Sequence, residues 1–141
     1  MLSDACIGKV GQFKLKKMEP NTTYLIKTRA VANEKICRTE ENQEFLKKLF
    51  NKYISPIAEI KSIQITDEEL SAIIKTKTSF EILQFKKNIP LTKNNWNKSS
   101  SYFISNQFKR LFNSYAHSYN QYFNRYGRLY ASTFKRQILL E

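Results

Sequence analysis

The sequence predicts an α+β domain in which helices cover an antiparallel sheet, and three observations support this fold class. The predicted elements run strand, helix, strand, strand, an order typical of antiparallel neighbours joined by a short turn. A long aromatic stripe later in the chain predicts a further helix. The 141 residues are 41% hydrophobic and include only three glycines and three prolines, which favours one compact domain with its own core.

The first third of the chain predicts an arm, a strand and a helix. Residues 1–21 are interpreted as a basic N-terminal arm, and residues 22–141 as a single domain. The segment TTYLIKTRAV at 22–31 is rich in β-branched and aromatic residues, which favours a strand. Thr39 can cap a helix that begins with glutamates and continues with lysines, a polarity that suits the helix dipole. Pro56 should end this helix.

The middle third predicts two strands and a loop. Ile57–Ile65 and Leu70–Lys77 each have a β-strand composition, and the polar residues between them predict a turn. The following residues, 78–101, show no sustained periodicity and are interpreted as a long, variable polar loop.

Residues 102–126 predict the longest helix. Their apolar and aromatic residues fall on one stripe at helical spacing, comprising Phe108, Leu111, Phe112, Tyr115, Tyr119, Tyr122, Phe123 and Tyr126. Gly127 is expected to be the residue just beyond the helix end. We expect the tyrosines of this stripe to be core residues. The opposite face carries cations and amides without any acid, and this composition suits a phosphate ligand.

Charge is distributed very unevenly along the chain. Residues 82–140 contain ten Lys or Arg and no Asp or Glu, so they hold ten of the twelve units of net positive charge. They also contain 13 of the 19 aromatic residues. Cations interleaved with aromatic rings indicate a polyphosphate partner with stackable bases, that is, a nucleic acid. A basic composition that merely solvates the core, or that reflects an A/T-rich genome, is the alternative.

Composition also disfavours several classes of protein. No apolar run approaches the roughly 18 residues that a membrane-spanning helix needs, so no membrane partner is expected. The N-terminus lacks the pattern of a secretory signal. Cys6 and Cys37 are too few for a disulfide framework and lack a zinc-binding spacing. We therefore expect a cytoplasmic protein.

Two blocks of sequence resemble the REP-associated tyrosine transposases, a group of single-tyrosine transposases with a His-hydrophobic-His motif. The resemblance covers about residues 22–138, and its order and spacing matter more than either block alone. The first block comprises Tyr24–Arg29, Glu34–Ile36 and Tyr53–Ile60; the second comprises Gln107, Phe108, Leu111–Ala116, Asn120, Asn124, Arg125, Gly127, Leu129, Tyr130 and Phe134–Arg136.

The resemblance implies a ferredoxin-like antiparallel sheet flanked by helices. It further implies binding of hairpin-forming single-stranded DNA, followed by cleavage and rejoining through a 5′-phosphotyrosine. In that family two histidines on a strand hold Mg²⁺ or Mn²⁺ at the scissile phosphate, and a tyrosine on a downstream helix is the nucleophile.

This chain departs from the family at the metal site. In register, the His-hydrophobic-His motif falls on Glu69-Leu70-Ser71, so Glu69 and Ser71 occupy vestigial metal-site positions. The chain's single histidine, His117, lies on the long helix and cannot replace a pair. We therefore expect no metal and no other cofactor. A metal bound by the acidic run at 67–69 is an alternative to an ordinary solvated turn.

The nucleophile is the second departure. The resemblance places it 15 to 20 residues beyond the element that is Phe134–Arg136 here, whereas the printed sequence ends at Glu141. Tyrosines that precede this element are not expected to act as the nucleophile. The sequence as given therefore looks like a degenerate, C-terminally truncated transposase domain, and we expect no catalysis.

These observations favour a transposase-like protein that recognises single-stranded or hairpin DNA without cutting it. Trp96, flanked by lysines, is the best candidate for base stacking. The candidate phosphate contacts are Lys109, Arg110, Arg125, Arg128, Lys135 and Arg136.

Two other functions stay open at this point. The domain could serve protein interaction or be a relic, with an exposed sheet edge as its pairing surface. A less favoured reading is an active nickase or transposase completed in trans. The sequence does not distinguish a monomer from a homodimer, nor does it identify the DNA target.

Overall fold

The computed structural model describes residues 17–87 and 98–140, and within them it shows the α+β fold that the sequence predicts. The described elements are, in chain order, β1 (Thr23–Arg29), α1 (Glu40–Ile54), β2 (Ala58–Ile65), β3 (Glu69–Thr76), α2 (Ser79–Lys86), α3 (Ser100–Tyr122) and β4 (Lys135–Ile138). The first three strands and α1 lie within one or two residues of their predicted bounds. Most of the predicted arm, and Trp96, lie outside the described residues.

The four strands form one antiparallel sheet in the order β2-β3-β1-β4. This is the strand order of the ferredoxin-like fold, so the predicted fold class is confirmed. The β2–β3 turn is held by Thr66, whose hydroxyl accepts a hydrogen bond from the Glu69 amide at 3.1 Å. A register shift between Ile60 and Ser62 marks a bulge in the edge strand β2.

Strand alternation places one face of the sheet against the helices. Ile26 on β1 and Leu70, Ala72 and Ile74 on β3 are almost fully buried on this face. Thr39 caps the N-terminus of helix α1, as predicted, and its hydroxyl accepts a hydrogen bond from the Asn42 amide at 3.1 Å. Helices α1 and α3 pack against each other through edge-to-face contacts of the aromatic rings Phe50, Phe108 and Phe112.

The predicted loop at 78–101 is wrong over its first third, because residues Ser79–Lys86 form α2. The Thr78 hydroxyl caps this helix and the Glu81 carboxylate bonds back to the Thr78 amide, which completes a capping box. Only Ile82 is fully buried, against α3. Since a single buried position gives no periodicity, the capping box was the signal that could have predicted this helix.

The predicted end of α3 is also wrong. The helix ends at Tyr122, and Asn124 rather than Gly127 is the left-handed residue beyond the cap, with φ of 52°. As a result the aromatic stripe divides. Tyr115 and Tyr119 are buried, as predicted, whereas Tyr122 and Tyr126 are 72% and 89% exposed and are not core residues. In the part of the chain that the structure covers, no helix combines the length and apolarity needed to span a membrane.

Candidate nucleic-acid interface

The sheet face opposite the helices is open and basic. Along β1 the exposed side chains of this face are Lys27 and Arg29, and on β4 they are Lys135 and Gln137. No described helix packs on this face. Because successive strand residues point to opposite sides, these positions alternate with the buried residues that face the helices.

Two lysines face each other directly on adjacent strands. Lys27 on β1 is the antiparallel register partner of Lys135 on β4, and both are exposed. On its other side Lys27 pairs with Ser71, which carries no charge to offset it. Like charges at directly opposite positions destabilise a sheet. An anion bound between the two ammonium groups would remove this repulsion, so the arrangement suits a phosphate.

The positions that the resemblance assigns to the metal ligands lie on the same face. Glu69 is the register partner of Arg29, and Ser71 is the partner of Lys27. Among residues 17–87 and 98–140, no three His, Cys, Asp or Glu side chains are grouped so that they could hold a metal ion. One carboxylate and one hydroxyl beside two cations do not fit a divalent metal, because the cations repel it and hydroxyl is a weak ligand.

The acidic run at 67–69 points to the surface as an ordinary turn. Asp67 lies 3.6 Å from Lys35 Nζ, and Glu68 lies 4.0 Å from Arg29, in exposed ion pairs. The Asp67 carbonyl oxygen accepts from the Ile36 amide at 2.6 Å, which ties this turn to the loop after β1. These contacts account for Asp67 and Glu68 without a ligand, and Glu69 lies beside Arg29 in the sheet register.

A carboxylate fixes the segment that follows α3. Glu34, whose side chain is 15% exposed, lies 3.1 Å from Arg38 and 2.9 Å from Arg125 Nε. The Tyr119 hydroxyl accepts from Arg38 Nε and lies 2.9 Å from Glu34 Oε1. Burial raises the pKa of Glu34, but hydrogen bonds from the Lys35 amide, Tyr119 and Arg38 outweigh it and leave this pKa below its ordinary value.

Arg125 then orders the turn itself. Its guanidinium donates to Asn120 Oδ1 at 2.7 Å and to the Arg128 carbonyl oxygen at 3.2 Å. Asn120 in turn donates to the Gly127 carbonyl oxygen at 3.0 Å. Side-chain hydrogen bonds from Asn120 and Arg125 therefore join the last turns of α3 to the backbone of Gly127 and Arg128.

An open cleft of about 540 Å³ lies over this turn. Amide side chains, an imidazole, a phenol ring and a guanidinium line it, contributed by Asn120, Gln121, Asn124, His117, Tyr126 and Arg125. Residues just beyond it pair with the end of β1, since the Val31 amide donates to the Leu129 carbonyl oxygen at 2.8 Å. The cleft therefore lies at the end of the sheet that carries Arg29.

The predicted phosphate contacts do not form one cluster. Lys135 lies on the open sheet face, and exposed Arg128 follows the turn near its edge. Lys109 and Arg110 lie on the outer side of α3, about two turns or roughly 10 Å before His117. Arg125 is committed to Glu34 and fixes the turn, so its role in the structure is to position its neighbours.

Arg136 points to the helix side of the sheet, opposite to Lys135. Its guanidinium lies 4.6 Å from the centroid of the Phe134 ring and 3.4 Å from the Ser105 hydroxyl. Burial lowers the pKa of Arg136, and its buried Nε has no partner among the described residues. This cation is therefore poorly compensated within the described fold.

Tyr115, which is buried, and Tyr130, which is partly buried, have structural roles. Tyr115 donates its hydroxyl proton to the Ile36 carbonyl oxygen at 2.5 Å, and Tyr130 donates to the Phe112 carbonyl oxygen at 2.7 Å. Burial raises the pKa of both hydroxyls, which disfavours the phenolate that a nucleophile requires. Tyr115, which is only 1% exposed, is not accessible to a substrate.

Sequence reasoning missed Lys27 and Arg29 as candidate interface residues. The alternation in the segment TTYLIKTRAV already placed both on the polar side of a strand. Because ten of the twelve units of net positive charge lie in residues 82–140, these two cations did not stand out in the distribution of charge. Only the register between β1 and β4 shows that Lys27 lies opposite Lys135.

The site therefore defines a small ferredoxin-like domain with a basic open sheet face. Among solved structures, it is similar to a REP-associated tyrosine transposase bound to a REP hairpin, with a TM-score of 0.54 and 7% sequence identity. The alignment covers 94% of this chain and 64% of the transposase chain, so this chain spans less than two thirds of the length of the transposase. No protein-family model and no curated protein matches this sequence. At 7% sequence identity, the similarity shows that the two proteins share a fold and nothing more.

Proposed function

We propose that this protein binds single-stranded or hairpin DNA through the open sheet face and the basic turn after α3, and that it does not cleave the DNA. The observation that carries the proposal is the pair Lys27 and Lys135, which lie directly opposite each other and have no ion-pair partner among the described residues. Repulsion between the two ammonium groups lowers the stability of the free protein, and a bound phosphate would remove this repulsion. The acid-free composition of residues 82–140 and the similarity in fold to a hairpin-bound transposase support it.

Absence of cleavage is proposed from the residues in the metal-ligand register. Glu69 and Ser71 replace the implied histidines and lie beside Arg29 and Lys27. Fixed cations at this position can neutralise phosphate charge in the ground state but cannot supply a metal-activated reaction. The protein is therefore expected to bind DNA without cleaving it.

Fluorescence anisotropy with a labelled hairpin carrying a single-stranded flank tests this proposal. Wild-type protein is expected to bind with a strong salt dependence and to prefer the hairpin over random duplex competitor. The double variant Lys27→Gln/Lys135→Gln should lower the slope of log affinity against log salt by about 1.4 to 1.8, the value for two phosphate contacts. A denaturing gel after addition of Mn²⁺ should show uncut DNA.

The matched control is Lys47→Gln/Lys48→Gln, which removes the same charge from the exposed face of α1. This variant should keep the wild-type slope. Equal losses in both double variants would mean that only net charge matters and would remove the sheet face from the proposal. A DNA 5′ end covalently joined to protein would overturn the proposed lack of cleavage.

The alternative partner is an acidic protein, which would meet the same cations. Its complex should then resist competition by hairpin DNA. Stability measurements add a second check, since Lys27→Gln relieves the repulsion and should leave the free energy of unfolding unchanged or raise it by roughly 0.2–1 kcal/mol.

A further inference from the structure

The cleft after α3 combines an exposed aromatic ring with uncommitted amides. Tyr126 is 89% exposed, so its ring contributes almost nothing to the core. Gln121 and Asn124 are exposed and line the same cleft, and within the described residues neither side chain has a hydrogen-bond partner. Proteins recognise an unpaired base in two ways, by stacking an aromatic ring on it and by forming hydrogen bonds to its edge. A flat ring beside free amide donors and acceptors suits both.

The turn that carries these groups is held in place before any ligand arrives. Arg125 connects Glu34 to Asn120, and Asn120 bonds to the carbonyl oxygen of Gly127. Gly127 has φ of 90°, a conformation that side-chain-bearing residues rarely adopt. Because the turn is pre-ordered, less conformational entropy is lost when a ligand binds.

The electrostatics of the cleft favour a nucleotide over a cationic or neutral aromatic ligand. Its lining includes no carboxylate, and its one guanidinium, that of Arg125, is already paired with Glu34. Exposed Arg128 follows directly, and the end of β1 that carries Arg29 is adjacent through the Val31–Leu129 hydrogen bond. A backbone phosphate next to the base would therefore lie near Arg128 and Arg29.

We propose that this cleft binds one unpaired nucleobase of a DNA strand, stacked on Tyr126 and hydrogen-bonded at its edge by Gln121 and Asn124. The inference rests on the proposed DNA-binding function and adds to it a base-recognition site separate from the sheet face. It assigns the recognised base to single-stranded DNA next to the hairpin, since a base within the duplex does not expose its stacking face.

The test combines abasic substitution with mutation of Tyr126. Hairpins with a short single-stranded flank are made with one abasic site at each flank position in turn, and their affinities are measured by fluorescence anisotropy. At one position the abasic site should weaken wild-type binding by roughly 5- to 150-fold, the range for loss of one stacked base. Tyr126→Ala should weaken binding of the intact hairpin by a similar factor.

Combining the two changes should give no further loss, because each removes the same contact. Tyr126→Phe keeps the ring and should stay within about threefold of wild type. The matched control is Tyr122→Ala, which removes an exposed tyrosine, 72% accessible, that does not line the cleft. It should bind every flank like the wild-type protein. Circular dichroism should show unchanged folding for all three variants.

The outcomes separate this inference from the proposed function. Wild-type protein that binds hairpins in a salt-dependent way, with Tyr126→Ala binding equally well, would overturn the base site alone. Losses from abasic sites that add to the loss from Tyr126→Ala at every position would also overturn it. Wild-type protein that binds no hairpin even at low salt would overturn the proposed function, and the base site with it.

Discussion

The two halves of the α3 aromatic stripe have opposite environments despite their continuous spacing in the sequence. Tyr115 and Tyr119 are almost fully buried, and their hydroxyls bond to the loop after β1. Tyr122, the last residue of α3, and Tyr126, which lies beyond the helix end, are exposed. The difference shows that helical spacing predicts a buried face only while a partner element covers the helix.

Replacing Tyr115 should have the largest effect on stability. Tyr115→Ala removes a fully buried ring together with its hydrogen bond to Ile36, so the free energy of unfolding should fall by about 3–5 kcal/mol. Urea denaturation of the variant measures this change. The matched variant Tyr122→Ala should stay within about 0.5 kcal/mol of wild type. A similar loss in both would contradict the division of the stripe.

Glu34→Gln should have the next largest effect. The substitution removes the carboxylate that joins Arg38 and Arg125, and it should lower the free energy of unfolding by about 1–3 kcal/mol at pH 7. Glu44→Gln on α1, which breaks only an exposed pair with Lys47, should cost less than about 0.5 kcal/mol.

The effect of Glu34 should also depend on pH. Because its pKa is lowered in the folded protein, its stabilisation is present above the unfolded pKa of about 4.3 and is lost as the pH falls through the folded value. The difference between Glu34→Gln and wild type should therefore close in acid. A difference that stays constant from pH 7 to pH 3 would show that the carboxylate charge is irrelevant.

A smaller effect is expected in the turn that follows α3. Gly127→Ala forces a side chain into a positive-φ conformation and should cost about 1–2 kcal/mol, although no atom lies close enough to clash with the new methyl group. Thermal unfolding followed by circular dichroism measures the loss. An unchanged melting temperature would mean that the turn relaxes to another conformation.

The smallest change concerns the hydroxyl of Tyr115. Tyr115→Phe keeps the ring and should cost about 0.5–1.5 kcal/mol at neutral pH. Because burial raises the pKa of Tyr115, wild-type stability should fall once the pH exceeds about 10, the ordinary tyrosine value. This alkaline fall should be shallower in Tyr115→Phe. Equal slopes in the two proteins would indicate that Tyr115 titrates freely while the protein is folded.

The sequence was sufficient to predict those helices and strands whose local signals agree with their tertiary contacts. Helix α1 has a cap at Thr39, an acidic first turn, and a buried face that meets α3, so both ends were predictable. Helix α2 buries only Ile82, and without periodicity only its capping box could have identified it. The end of α3 depends on hydrogen bonds from Arg125 and Asn120 to distant or later groups, which no local pattern contains.

The candidate site was less predictable than the fold. The excess of basic residues indicated a nucleic-acid partner, and the strand residues Lys27 and Arg29 were visible in the alternation of β1. Their pairing with β3 and β4 requires the register of the whole sheet. The cleft over the turn requires both the early end of α3 and the position of Glu34, which lies 91 residues before Arg125 in the chain.

Heteronuclear NMR titration with a flanked hairpin tests the central claim most directly, and a 16.7 kDa chain suits the method. We expect the largest changes in amide chemical shift to cluster on β1, β3 and β4 and on the turn at 124–128. Signals from the exposed face of α1 should stay in place. Changes concentrated on α1, or spread evenly over all exposed lysines, would contradict recognition by the open sheet face and the cleft.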